Sequence, residues 1–196
     1  FMNADLCRTI CDNAQERDVP VHIDGARIFN AAVAAGTDVA GLTRYADSVQ
    51  LCLSKGLGAP VGSVLVGSRS FIKEAHLWRK RMGGGMRQAG IIVAAGLIAL
   101  EESPKRLHED HSKARDLAFG LANLPGIELN PEKVETNIVI FDVAGTNKTP
   151  AEICDGLKGL GVLAGGFATS IRMVTHRDVS DKDIQAAVAA LEEVLE

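Results

Sequence analysis

Two short apolar runs, each closed by a motif that mixes glycine with ionisable side chains, limit what this chain can fold into more than any other feature. Val19 to Ile23 runs into His22-Ile23-Asp24-Gly25-Ala26-Arg27, and Val49 to Leu53 runs into Ser54-Lys55-Gly56-Leu57-Gly58-Ala59-Pro60. Runs this short and this rich in Val, Ile and Leu read as buried strands, and the segments around them have helical periodicity. The chain is therefore α/β. In open α/β sheets ligands gather outside the carboxyl ends of the strands. One strand delivers a carboxylate, Asp24, to such an edge, and the next delivers an amine, Lys55.

Reading in order, Asn3 caps a first helix with an apolar stripe of Leu6, Ile10 and Ala14. Pro20 disfavours helix at Val19 and starts the first strand. Ala26 to Ala35 is a helix ended by Gly36, and Leu42 to Tyr45 a further helical turn. Strands over Ser48 to Leu53 and Gly62 to Val66 are joined by too few residues for a crossover, so they pair antiparallel. Ser68 caps a helix over Phe71 to Arg81 that turns Phe71, Ala75 and Trp78 inward, and Gly83-Gly84-Gly85 breaks the chain before an apolar helix over Arg87 to Leu100. Ser103-Pro104 divides the chain into residues 1–103, part of a larger domain, and residues 104–196, a small α+β domain. The latter begins with a charged helix to Asn123, on which His108 and His111 are exposed. It continues with a strand over Val134 to Val143, a helix over Pro150 to Leu160 capped by Thr149, a strand over Ser170 to Val174 and a last helix opened by Ser180-x-x-Asp183.

Composition narrows the function classes. A net charge of −4 without a basic stripe argues against a nucleic-acid surface. No apolar run approaches the roughly 20 residues of a membrane helix. Cys7, Cys11, Cys52 and Cys154 lack zinc-site spacing and read as buried thiols in a reducing compartment, so the expected location is cytoplasmic. The chain opens Phe1-Met2 and offers only one helix and one strand before Asp24, so an upstream segment of the same polypeptide is expected.

Lys55, embedded between an apolar run and a glycine-rich turn, is the sharpest candidate. Partial burial there would leave more free amine for Schiff-base chemistry, although a Lys in a loop is ordinarily a solvated side chain. Asp24 has two competing roles, an N-cap for the helix after it or the partner of a cofactor ring nitrogen. With Lys55 it suits a pyridine aldehyde, pyridoxal 5'-phosphate (PLP), in which the Lys forms the Schiff base and the Asp keeps the nitrogen protonated. Arg27 is either a surface residue or a fork for an amino-acid carboxylate. Arg172, in Ile171-Arg172-Met173-Val174-Thr175-His176, offers the same chemistry unless it is an edge-strand residue facing water. Gly83-Gly84-Gly85-Met86-Arg87 is either a flexible linker or a phosphate nest. His22 shares a strand face with Asp24 and reads as a hydrogen-bonded structural residue.

Assembled, these motifs resemble the low-specificity L-threonine aldolase family, PLP enzymes of the aspartate-aminotransferase-like fold. The match runs through His22 to Ala32, Cys52 to Ser63, Trp78 to Gly90 and Ile171 to His176, and it covers only the carboxyl-terminal part of the family pattern. The resemblance implies cleavage of L-threonine, L-allo-threonine and related β-hydroxy-α-amino acids to glycine and an aldehyde. It makes Lys55 the Schiff-base lysine, Asp24 the ring-nitrogen partner, Arg27 and Arg172 the carboxylate binders, and Ser54, Arg27 and Arg87 neighbours of the cofactor. It assigns no metal and implies a homo-oligomer, a dimer of dimers. Two other readings remain, a β-eliminating PLP lyase using the same Asp24 and Lys55, and a non-catalytic fragment that serves in assembly or binding.

Overall fold

The computed structural model describes residues 1–196, which divide into two compact units, Phe1–Leu107 and His108–Glu196. The first unit opens with α1 (Ala4–Gln15), and the Asn3 side chain accepts the Leu6 N–H at 2.9 Å, as the cap requires. The buried face of α1 is not the expected Leu6/Ile10/Ala14 stripe. Cys7 and Cys11, one turn apart, are buried while Leu6 and Ile10 stay exposed, because two small thiols let the helix approach more closely than Leu and Ile would.

The first strand, β1 (His22–Gly25), begins three residues later than expected and runs on through Asp24. Pro20 has no N–H to give, and Val21 is tied to Asp47 instead: its N–H donates to Asp47 Oδ2 at 2.7 Å and its carbonyl accepts from Asp47 N. Then follow α2 (Ile28–Ala34), a short α3 (Val39–Thr43) capped by Asp38, β2 (Ser48–Cys52) and β3 (Ser63–Gly67). The sheet order is β1-β2-β3, with β1 and β2 parallel and β2 and β3 antiparallel as expected. Leu51 of β2 and Leu53 just after it join Ile28 and Ala32 of α2, Leu42 of α3 and Ala99 in one core.

Two helices complete this unit, α4 (Arg69–Arg81) and α5 (Gly90–Glu102). Neither sits as expected. No residue of α4 is buried, and Phe71 and Trp78 are exposed. The apolar helix starts at Gly90 rather than Arg87, since the chain passes through Gln88 at φ +47 first, and only Gly96 and Ala99 of α5 are buried. Ile91 is 89 % exposed and Met82, in the preceding turn, 82 %. A 3-10 turn over Ser103–Arg106 closes the unit.

In the second unit α6 (Leu107–Leu121), α7 (Pro150–Gly159) and α8 (Asp181–Leu195) pack on one face of a sheet of β4 (Ile138–Asp142), β5 (Gly165–Phe167) and β6 (Ser170–Val174). The order is β4-β6-β5, all antiparallel. Strand alternation sends Val139, Phe141, Ile171 and Met173 into that core. Ser180 with Asp183 forms the reciprocal cap read from the sequence, and Thr149, expected as a cap, forms one with Glu152 as well. The strand expected from Val134 shortens to Ile138, since Pro131–Lys133 form a 3-10 turn, and β5 was not foreseen because its Gly165-Gly166-Phe167 lacks any β-branched residue. His111 is buried, not exposed, and burial together with the neighbouring His108 charge pushes its pKa down.

Candidate active site

The parallel register His22↔Ser48, Ile23↔Val49, Asp24↔Gln50, Gly25↔Leu51 brings the carboxyl ends of β1 and β2 to one edge. Asp24 stands at the end of β1, and Ser54 and Lys55 follow β2 by two and three residues. Gly25 makes this approach possible. A Cβ on Gly25 would lie 2.7 Å from the Gln50 carbonyl oxygen, closer than real side chains sit, and 3.1 Å from Ile28 Cβ, which is also tight.

Asp24 is not the helix cap. α2 begins at Ile28 with Arg27 in the cap position, and Asp24 Oδ1 instead accepts the Ala26 N–H at 3.1 Å, closing a turn directly after the strand. That leaves Oδ2 for a ligand. His22, on the same strand face, pairs its Nδ1 with Ser48 Oγ at 2.8 Å, which bears out its structural reading. Arg27 is half-buried where the chain enters α2.

The Lys55 loop is rigid beneath an open side chain. Gly58 N–H donates to Lys55 O and Ala59 N–H to Leu53 O, both at 2.9 Å, while Ser103 Oγ donates to Leu57 O at 2.6 Å. Leu57 and Ala59 are buried, yet Ser54 and Lys55 are exposed, so the expected partial burial of the amine is absent in this chain. Cys52 Sγ lies 3.4 Å from Ser54 Oγ. Burial raises the Cys52 thiol pKa, but hydrogen bonds from the Ser54 hydroxyl and backbone, with the Lys55 charge, outweigh it and the net shift is downward. All four cysteines are free; Cys7 and Cys11 are buried as expected, whereas Cys52 and Cys154 are half-buried.

Asp24, Ser54 and Lys55 are thus gathered at one sheet edge, with Arg27 one turn of chain away. Arg87 lies in the exposed turn between α4 and α5. Arg172 belongs to the second unit. It is exposed on β6, the central strand, flanked by Ile140 and Gly165, so it is not the edge-strand residue that was the alternative. No group of His, Cys, Asp and Glu could hold a metal ion.

Two polar residues of this edge escaped the sequence reading. Asn30 is the sole polar side chain of α2 and is 2 % exposed, and Ser103 is buried where it holds the Leu57 carbonyl. The available signal was Asn30 itself, a poor helix former amid Ile, Phe and Ala.

An amine and a carboxylate near adjacent parallel strand ends, beside a Gly25 too tightly packed to admit a Cβ, are residue types that could hold a cofactor with an aldehyde and a basic ring nitrogen. Among known proteins, residues 2–144 match the beta-eliminating lyase family. The chain belongs to that family. Within the beta-eliminating lyases it is 48 % identical over 183 residues to the probable low-specificity L-threonine aldolase 2 of Arabidopsis thaliana, covering 92 % of this chain and 52 % of that protein. It is 46 % identical over 176 residues to the low specificity L-threonine aldolase of Escherichia coli O157:H7, covering 90 % and 51 %. The chain therefore spans about half the length of the curated relatives it matches. A putative L-allo-threonine aldolase from Listeria monocytogenes, 20 % identical, superposes with a TM-score of 0.80 over 100 % of this chain and 57 % of that one, so the α/β fold is shared.

Proposed function

We propose that this chain is the lysine-bearing, carboxyl-terminal part of a PLP-dependent aldolase that cleaves L-threonine, L-allo-threonine and related β-hydroxy-α-amino acids to glycine and an aldehyde. The observation that carries this is the placement of Asp24 and Lys55 at one edge of the parallel pair β1 and β2, in a chain nearly half identical to low-specificity L-threonine aldolases.

When bound, PLP supplies the electron sink that accepts the bonding pair of the broken Cα–Cβ bond. Lys55 would hold the cofactor through its aldehyde group. Asp24 would hold the ring nitrogen protonated, Ser54 would line the cofactor, and Arg87 would approach its phosphate. Arg27 and Arg172 grip the carboxylate, and a carboxylate held at both oxygens fixes which Cα bond is aligned for cleavage. Breaking Cα–Cβ releases the β-carbon as aldehyde once the β-hydroxyl gives up its proton, and the returning proton at Cα completes glycine.

This reading includes residues upstream of Phe1 and a neighbouring subunit, in a homotetramer built as a dimer of dimers, that close the site. Exposed apolar side chains of α5 and the turn before it, Met86, Ile91, Val93, Leu97 and Ile98, support a covering partner. It also includes a cytoplasmic location, and no helix is long and apolar enough to cross a membrane.

The test is borohydride reduction of the full-length protein with PLP, followed by peptide mapping and product analysis with threonine. Label on Lys55 with glycine and acetaldehyde is the expected result. Ammonia and a keto acid would instead support β-elimination, the reaction in the family's description, and an unlabelled Lys55 would end the assignment.

A further inference from the structure

Asn30 links the two arms of this site, and nothing in its helix explains why it is polar. α2 reads Ile-Phe-Asn-Ala-Ala-Val-Ala, and position 30 is buried to 2 % exposure, where an apolar side chain would leave no amide to satisfy. The amide is accommodated, since no buried side-chain nitrogen or oxygen lacks a hydrogen-bond partner. Its position is informative. A Cβ on Gly56 would stand 2.6 Å from Asn30 Oδ1 and 3.5 Å from its Cγ, so the carboxamide lies directly against the backbone of the residue after Lys55. α2 itself starts at Ile28, immediately after the turn that Asp24 closes with Ala26.

The other contacts of the loop come from elsewhere. Gly58 and Ala59 bond back within the loop, and Ser103 holds Leu57 from the far end of the unit. Asn30 approaches the loop from the Asp24 side. We propose that Asn30 is a positioning residue that fixes the backbone at Lys55 and Gly56 against the Asp24 arm, and that residue 56 is glycine so that this contact can form. The proposal rests on the assignment of Lys55 as the cofactor-binding lysine. Through it, the spacing of amine and carboxylate is set by one buried amide, and misplacement of reacting groups by an ångström costs about 100-fold in rate.

The test uses Asn30→Leu, which keeps the branched shape and the number of heavy atoms while removing the amide, and Gly56→Ala in the full-length protein. Hydrogen exchange without cofactor comes first. The Gly58 and Ala59 amides should exchange at least about tenfold faster in Asn30→Leu, while those of Val49 and Leu51 in β2 are unchanged. Next, the rate at which PLP becomes borohydride-reducible on Lys55 should fall about tenfold in both variants. With threonine, kcat should fall similarly while KM stays within about twofold, because the carboxylate-binding arginines are untouched. The double variant Asn30→Ala/Gly56→Ala should recover at least about fivefold of the trapping rate lost in Gly56→Ala, since removing the carboxamide makes room for the new Cβ. Wild-type exchange and trapping in a folded Asn30→Leu protein would overturn the proposal, as would a lowered melting temperature with kcat unchanged. Should Asn30→Leu fail to fold, Gly56→Ala and the double variant decide on the same trapping rates: no loss in the first, or no recovery in the second, overturns it. An unlabelled Lys55 in the wild-type protein would refute the cofactor assignment, and the exchange measurement would still read the Asn30 contact separately.

Discussion

Gly25→Ala isolates the packing that brings the two arms of the site together. The backbone at Gly25 is not in the left-handed region, so alanine meets no conformational penalty there, and the whole effect comes from the new methyl group. Its carbon would sit 2.7 Å from Gln50 O, 3.1 Å from Ile28 Cβ and 3.3 Å from Val49 Cγ1. One of these is backbone of the neighbouring strand, so relief requires β1 and β2 to move apart by roughly half an ångström. Overpacking of this kind costs about 1–3 kcal/mol. Loss of glycine's freedom in the unfolded chain offsets about 0.4–1 kcal/mol of that. The net is a destabilisation centred on about 1.3 kcal/mol, or roughly 5–10 °C in melting temperature for a unit of this size. Because the displaced residue follows Asp24, turnover should drop about tenfold as well. Thermal unfolding followed by circular dichroism, with glycine production measured below the transition, reads both effects. A melting temperature within about 2 °C of wild type and an unchanged rate would show that the strands are not in fact held at the spacing this carbonyl contact implies.

Lys55→Ala should abolish glycine production and leave the melting temperature within about 2 °C, because its side chain is exposed and contributes little packing; a variant with near-normal turnover would remove Lys55 from the chemistry. Arg172→Lys should raise KM for threonine about tenfold or more, from loss of a charge-assisted hydrogen bond worth roughly 1.5–3 kcal/mol, and an unchanged KM would make Arg172 a surface residue. His111 has a lowered pKa, so the unfolded chain takes up a proton near pH 6.5 that the folded chain does not. Its effect is absent above that pH and stability falls below it, by at most about 1.4 kcal/mol per pH unit; His111→Gln should flatten the melting temperature between pH 6.5 and 5.5, and an unaltered slope would contradict the assignment.

Local chemistry was legible wherever one residue type has one physical role. Asn3, Ser68, Thr149 and Ser180 cap the helices they precede, and the short link after Leu53 forces β2 and β3 antiparallel. Facing was less legible, because it depends on what lies opposite. Leu6 and Ile10 lost the buried position on α1 to Cys7 and Cys11, and Phe71 and Trp78 are exposed on α4 although the helix spans the expected residues. At the site, Asp24 and Lys55 stood out because ionisable residues at strand ends are rare. Asn30 did not, since its role depends on Gly56, which is remote in sequence and meets it only in the folded unit.

Burial and chemistry fall on different residues along this edge, and the division has a physical logic. The side chains of Asp24, Ser54 and Lys55 are exposed, whereas the residues between and behind them, Gly25, Asn30, Leu57 and Ala59, are buried. A reacting lysine must exchange one partner for another, so its side chain needs freedom, but the point from which it swings must be fixed if the carboxylate opposite is to remain in reach. Packing therefore acts on the backbone and spares the head groups. Substituting a buried neighbour should lower stability and rate together, as for Gly25, while substituting an exposed head group should lower rate alone, as for Lys55. That separation also explains why an alanine-rich helix as short as α2 carries a buried amide. The core behind the edge supplies rigidity without direction, and a polar contact on the Gly56 backbone supplies the direction.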